Sequence, residues 1–151
     1  MQVRFLNYLE DMTVGQTASY SKAFTEKDLL LFAEACHDDN PVHLNEEFAL
    51  TTPFGGRVVH GMLTASLIST VLAKALPGPG CIYMTQNLRF CSPVRIDEVV
   101  TATVTVRSID YSKNRILADT ICSVEDRVVV EGTALFMAQR RTSTSRKERE
   151  K

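Results

Sequence analysis

His60-Gly61-Met62-Leu63-Thr64-Ala65-Ser66-Leu67-Ile68-Ser69-Thr70-Val71-Leu72-Ala73-Lys74-Ala75-Leu76 is the most apolar segment of the chain. Met62, Leu63, Leu67, Ile68, Val71, Leu72 and Leu76 cover much of a helical circumference, and Lys74 is the one Lys, Arg, Asp or Glu within it. A helix apolar nearly all round is a buried helix. At 1.5 Å per residue this one is ~25 Å long. Pro77-Gly78-Pro79-Gly80 stops it. The segments that follow read as strands: Ile82 to Phe90, Val99 to Ser108, Asn114 to Val124 and Val128 to Ala138. In the second of these Val100, Ala102, Val104 and Val106 alternate with Thr101, Thr103, Thr105 and Arg107, the period of a half-buried strand. Glu125-Asp126-Arg127 reads as the turn of a hairpin. Antiparallel strands gathered after one buried helix predict an α+β domain, with a sheet curled around that helix.

Upstream, residues 5–15 read as a lead-in loop and Gln16 to Phe24 as a first strand. Thr25 with Asp28 three residues on has the form of a capping box. Leu29, Phe32, Ala33 and Cys36 then fall on one face of an amphipathic helix. Asp38 to Pro41 is turn chemistry, and Pro41 disfavours helix at Asn40. Asn45 with Glu46 and Glu47 caps a short helix to about Leu50, and Thr51 to Arg57, with Pro53 and Gly55-Gly56, reads as loop.

With 151 residues the chain is most simply one domain. A net charge of −1 gives no electrostatic reason to expect nucleic acid. The absence of 18 uninterrupted apolar residues predicts no membrane span. Four cysteines without metal-ligand spacing and a start lacking an apolar signal region predict a reduced, cytoplasmic setting. From Arg140 to Lys151 the chain holds six Lys or Arg against two Glu, so residues 1–140 are expected to form the domain and 141–151 a charged, disordered tail.

Chemistry concentrates in Asp38-Asp39-Asn40-Pro41-Val42-His43 and in His60-Gly61. A carboxylate and an imidazole five residues apart can move protons, and a helix start offers free N–H groups to a developing enolate oxygen. Taken singly the residues stay ambiguous. Asp, Asn and Pro also make ordinary turns, His60 also reads as a plain helix-start residue, and a Ser66 hydroxyl in an apolar helix commonly bonds its own backbone.

Together, Asp38-x-Asn40-Pro41-x-His43 followed by His60-Gly61-Met62-Leu63 and Ser66 resembles the hydratase motif of the MaoC-like (R)-specific enoyl-CoA hydratases, over roughly residues 8–138. That resemblance implies a hot-dog fold, in which a curved antiparallel sheet wraps a long central helix. It implies hydration of trans-2-enoyl thioesters to (R)-3-hydroxyacyl thioesters, or the reverse dehydration. Asp38 and His43 become the catalytic pair, Gly61 the oxyanion-hole donor, and Ser66 the residue that positions Asp38. Asn40 becomes the support of the motif loop, and His60 and Met62 substrate contacts. It further implies no metal or redox cofactor, a substrate carried on coenzyme A or acyl carrier protein, and a homodimer with a continuous sheet. One departure stands out: His37 occupies the place of a usual glycine before the Asp. If that position has φ > 0, His is the less comfortable occupant. Thioester hydrolysis and non-catalytic acyl-thioester binding are the competing readings of the same fold.

Overall fold

A computed structural model describes residues 7–141. After a 3₁₀ turn, Leu9–Asp11, the chain runs β1 (Thr17–Ala23), α1 (Glu26–Cys36), α2 (Pro41–Leu44), α3 (Glu46–Leu50), α4 (Gly61–Lys74), β2 (Ile82–Phe90), β3 (Val99–Asp110), β4 (Arg115–Val124) and β5 (Arg127–Met137). The five strands form one antiparallel sheet in the order β1-β3-β4-β5-β2. The chain thus lays β2 down at one edge, whereas β3, β4 and β5 follow one another by hairpins.

Alternation decides which face is the core. Val100, Ala102, Val104 and Val106 of β3 are all buried, as are Ile116, Ala118 and Cys122 of β4. They meet Leu67, Ile68, Val71 and Leu72 of α4, which lies across the concave side of the sheet. Each such aliphatic side chain contributes about 1.5–3 kcal/mol by leaving water. On the outer face, Thr17, Ser19 and Ser21 of β1 pair hydroxyl to hydroxyl with Thr105, Thr103 and Thr101. At Gly132 of β5 the backbone of β2 leaves no room for a side chain, since an added Cβ would meet the Asn87 carbonyl oxygen at 1.8 Å.

The central helix departs from its expected all-round burial. Met62, Ser66, Ser69 and Ala73 form an exposed stripe, Met62 being 58% exposed. The sheet covers only one side of α4, and this stripe instead faces a groove whose other wall is β2. The expected turn after α1 also holds a further element: Asn40 caps and Pro41 opens the one-turn α2. A proline at the first helical position costs no hydrogen bond, because that N–H has no partner in the helix. Of the tail expected from residue 141, Arg141 is ion-paired with Asp11, and 142–151 lie outside the described residues. Among the described residues, no helix is long and apolar enough to cross a membrane.

Candidate active site

Three short elements bring the motif residues together at the N-terminus of α4. α1 begins with the expected capping box, Thr25 and Asp28 bonding each other's backbone N–H groups. It ends at His37, which adopts the left-handed conformation (φ 60°, ψ 26°) and turns the chain sharply into Asp38. His37 therefore does sit where a glycine would be unstrained, and its own ring is exposed. Asn40 then accepts a hydrogen bond from Val42 N–H at 3.2 Å, fixing the turn into α2 that carries His43. The result is a cluster in which an Asp38 carboxylate oxygen and one ring nitrogen of each of His43 and His60 lie within 4.8 Å of one another.

The hydrogen bonds assign the imidazole nitrogens. His43 Nδ1 lies 2.8 Å from the Val58 carbonyl oxygen. A carbonyl can only accept, so Nδ1 carries a proton whether the ring is neutral or charged. Nε2 is then the atom that gains and loses a proton. His60 Nε2 donates in the same way to the Asp38 carbonyl at 3.1 Å. Burial holds His60 below the ordinary imidazole range. The Asp38 carbonyl opposes this, nearby His43 reinforces it, and the Asp38 carboxylate opposes it weakly. His60 is accordingly a neutral donor, and its Nδ1 is buried without a partner.

His60 is where the structure departs most from the sequence reading. It is 1% exposed, stacked on His43 with ring centroids 3.9 Å apart, and in contact with Phe32 at 4.9 Å. A residue sealed between two rings is not placed to touch substrate; it is a wedge that fixes both Asp38 and His43. Stacking also argues against a chelate, since stacked imidazoles project their lone pairs side by side rather than onto one ion. A metal site of this donor set needs convergent ligands about 2 Å from the metal.

Ser66 departs as well. Its hydroxyl donates to Leu63 O at 2.6 Å, the self-bonding behaviour of a helical serine, so Asp38 is held by His60 instead. Gly61 is the first residue of α4. Its N–H has no acceptor within the helix. Gly61 lines a cavity of about 450 Å³ together with Asn40, His43, Thr64 and Phe90. Thr64, one turn along, is buried with an unpartnered hydroxyl, and nothing in its sequence position signals this. Met62 lies on the other side of the helix start, in the groove of about 510 Å³ shared with Phe32, Ser66, Tyr83 and Leu88.

The wedge role of His60 has a measurable consequence. Gln can place an amide donor near the Nε2 position, whereas Asn reaches only as far as Nδ1. His60→Gln is therefore expected to keep about ten times more kcat than His60→Asn, one hydrogen bond's worth. Its depressed titration adds a pH dependence. In the unfolded chain the ring takes a proton as pH falls below about 6.5, while the folded ring resists it. Wild-type stability should thus decline below that pH and the His60→Gln decline should be shallower, as read from thermal midpoints between about pH 5 and 8.

One sheet wrapped on one helix, with a carboxylate and two imidazoles clustered at that helix's N-terminus, defines a hot-dog-fold hydratase class. The chain belongs to the MaoC-like domain family, whose model matches residues 11–128. It is 48% identical over 136 residues to an (R)-specific enoyl-CoA hydratase of Rhodospirillum rubrum, covering 90% of this chain and 94% of that one. It is 46% identical over 128 residues to a 3-hydroxybutyryl-CoA dehydratase of Methylorubrum extorquens, covering 85% and 82%. Among solved structures, an unliganded R-hydratase from Pseudomonas aeruginosa matches with a TM-score of 0.85 at 39% identity, covering 91% of this chain and 88% of that one.

Proposed function

We propose that the chain hydrates trans-2-enoyl thioesters to (R)-3-hydroxyacyl thioesters, and runs the reverse dehydration, with Asp38 and His43 as the acid–base pair. The observation that carries this is the cluster itself: an exposed carboxylate beside an imidazole whose Nδ1 is tied to Val58, at the start of a long helix. A water held by both groups gives its proton to the Asp38 carboxylate as its oxygen bonds C3. The C2=C3 electron pair moves toward the thioester carbonyl, and Nε2–H of a protonated His43 supplies the proton that C2 then takes up. The pair ends as a carboxylic acid and a neutral imidazole, and one proton passed between these neighbours restores the start. Water and proton reach the same face because both groups lie on one side of the substrate. Gly61 N–H, at the positive end of α4, faces the oxygen that gains charge in between. The reaction so written uses no redox group and no metal.

The two relatives reported above act, by their names, on coenzyme A thioesters, which supports that carrier here. A second copy would complete the site. β2 is an edge strand with Ile82, Tyr83, Met84 and Phe90 exposed, and it forms one wall of the groove beside Met62. Long apolar edges are normally covered, and pairing of β2 with β2 of a second chain closes that groove.

The test is loss of the ultraviolet absorbance of trans-2-butenoyl-CoA, with the product resolved by chiral chromatography. (R)-3-hydroxybutyryl-CoA is the expected product; release of free coenzyme A without it would instead mean thioester hydrolysis. The same sample in sedimentation should exceed the 16.8 kDa of a single chain.

A further inference from the structure

Thr51 to Arg57 is a loop rich in glycine and threonine, and it leads directly into Val58, whose carbonyl orients the His43 imidazole. Arg57 is what anchors it. Its Nε–H donates to the His43 carbonyl at 2.7 Å, and its terminal nitrogen pairs with Glu26 at 2.7 Å. Its backbone N–H donates to Glu46 at 3.2 Å. Its side chain is only 15% exposed. Arg95 grips the same strap from behind, donating to the carbonyls of Gly56 at 2.9 Å and Arg57 at 3.2 Å, and to that of Phe54. Val58 N–H donates to Val42 O at 3.4 Å. Residues 42–43 and 57–58 are thus joined in a closed circuit: Arg57 holds the His43 carbonyl, and Val58, the next residue, holds the His43 ring.

We propose that Arg57 is a positioning residue for His43, fixing Val58 O so that Nδ1–H stays bonded to it in the charged and the neutral ring alike and Nε2 is the nitrogen that meets substrate. This rests on the acid–base reading of His43 given above. The physical argument is that an imidazole's tautomer follows the hydrogen bond made by its far nitrogen. That bond is only as fixed as the loop carrying its acceptor. A glycine-rich loop has little stiffness of its own, and here charge-assisted bonds, the strongest in their class, supply it. One guanidinium reaches α1 and α2 at once, through Glu26 and the His43 carbonyl, which a lysine's single ammonium cannot do, while the bond to Glu46 in α3 runs through the backbone N–H.

The experiment compares wild type, Arg57→Ala and Arg57→Lys by kinetics on trans-2-butenoyl-CoA and by long-range ¹H–¹⁵N spectra of the His43 ring. With spectra recorded at a pH where the ring is neutral, wild type is expected to show the Nδ1–H tautomer. Arg57→Ala is expected to show a mixture with Nε2–H, and kcat lower by about 10- to 100-fold with KM changed by less than about threefold. Ethylguanidinium, refilling the vacated space, should recover part of kcat. Should Arg57→Ala fail to fold, Arg57→Lys decides: a folded protein with lowered kcat and mixed tautomers supports the role. A wild-type tautomer with kcat within twofold of wild type, in whichever variant folds, overturns it. Because the spectra need no turnover, wild type inactive on enoyl thioesters but with a tautomer governed by Arg57 would sink the activity and leave the positioning intact.

Discussion

Asp38→Asn and His43→Asn should each lower kcat by a factor of about 10² or more while leaving a folded protein, and the double variant should be little worse than the poorer single. Both substitutions follow from the geometry. Asp38 is exposed, and its bond to His60 runs through the main-chain carbonyl, which asparagine retains. At position 43 asparagine can still present an amide near Nδ1 and keep the Val58 contact, while deleting Nε2. Asp38→Asn therefore removes a proton-transfer atom and spares the scaffold, whereas His43→Asn also gives up the ring stacked on His60 and should lower the thermal midpoint as well. On the proposed mechanism their effects should not multiply, because one water would serve both groups and losing either would stop the same step. Steady-state kinetics with thermal unfolding on the same samples separates the outcomes. Near-normal kcat in either single removes that residue from the pair, and a fully multiplicative double would mean that the two act in separate steps.

Much of this was legible in the sequence because it depends on local rules. Thr25 and Asp28 announce α1, the alternation of β3 names its buried face, and the Pro-Gly run after Leu76 ends the central helix region. Asn40-Pro41 was legible only in part. The pair reads as a turn, and it also fits the cap and first residue of a helix, which is what forms. What stayed hidden depends on partners far along the chain. Nothing local in Ile82 to Phe90 tells an edge strand from a central one; that follows from β2 pairing with β5 rather than with β3. His60 beside a glycine looks like a surface residue, and its burial arises only when Phe32 and His43 close over it. Arg57 in a glycine-rich loop looks solvated until Glu26, 31 positions away, and the His43 carbonyl, 14 away, are in place. The motif thus names the groups proposed to react more readily than those that hold them.

Gly61→Val is expected to lower kcat/KM by about 10², comparable to loss of an oxyanion-hole donor. The structure gives two distinct reasons for glycine here. One is chemical: at the first position of α4 a side chain would crowd the approach of a thioester oxygen to the free N–H. The other is packing, since an added Cβ would stand 2.8 Å from Cε1 and 2.9 Å from Cδ1 of the Phe90 ring. Phe90 is 53% exposed and can swing aside, so the clash alone should lower the thermal midpoint only modestly. Combining Gly61→Val with Phe90→Ala separates the two causes. Removing the ring relieves the contact and should restore the midpoint toward that of Phe90→Ala by itself. If kcat/KM stays depressed relative to Phe90→Ala, the glycine guards access to the N–H. If it returns to the Phe90→Ala level, Gly61 is needed only to seat the ring, and the enolate oxygen must find its donor elsewhere, with the unpartnered Thr64 hydroxyl the first place to look.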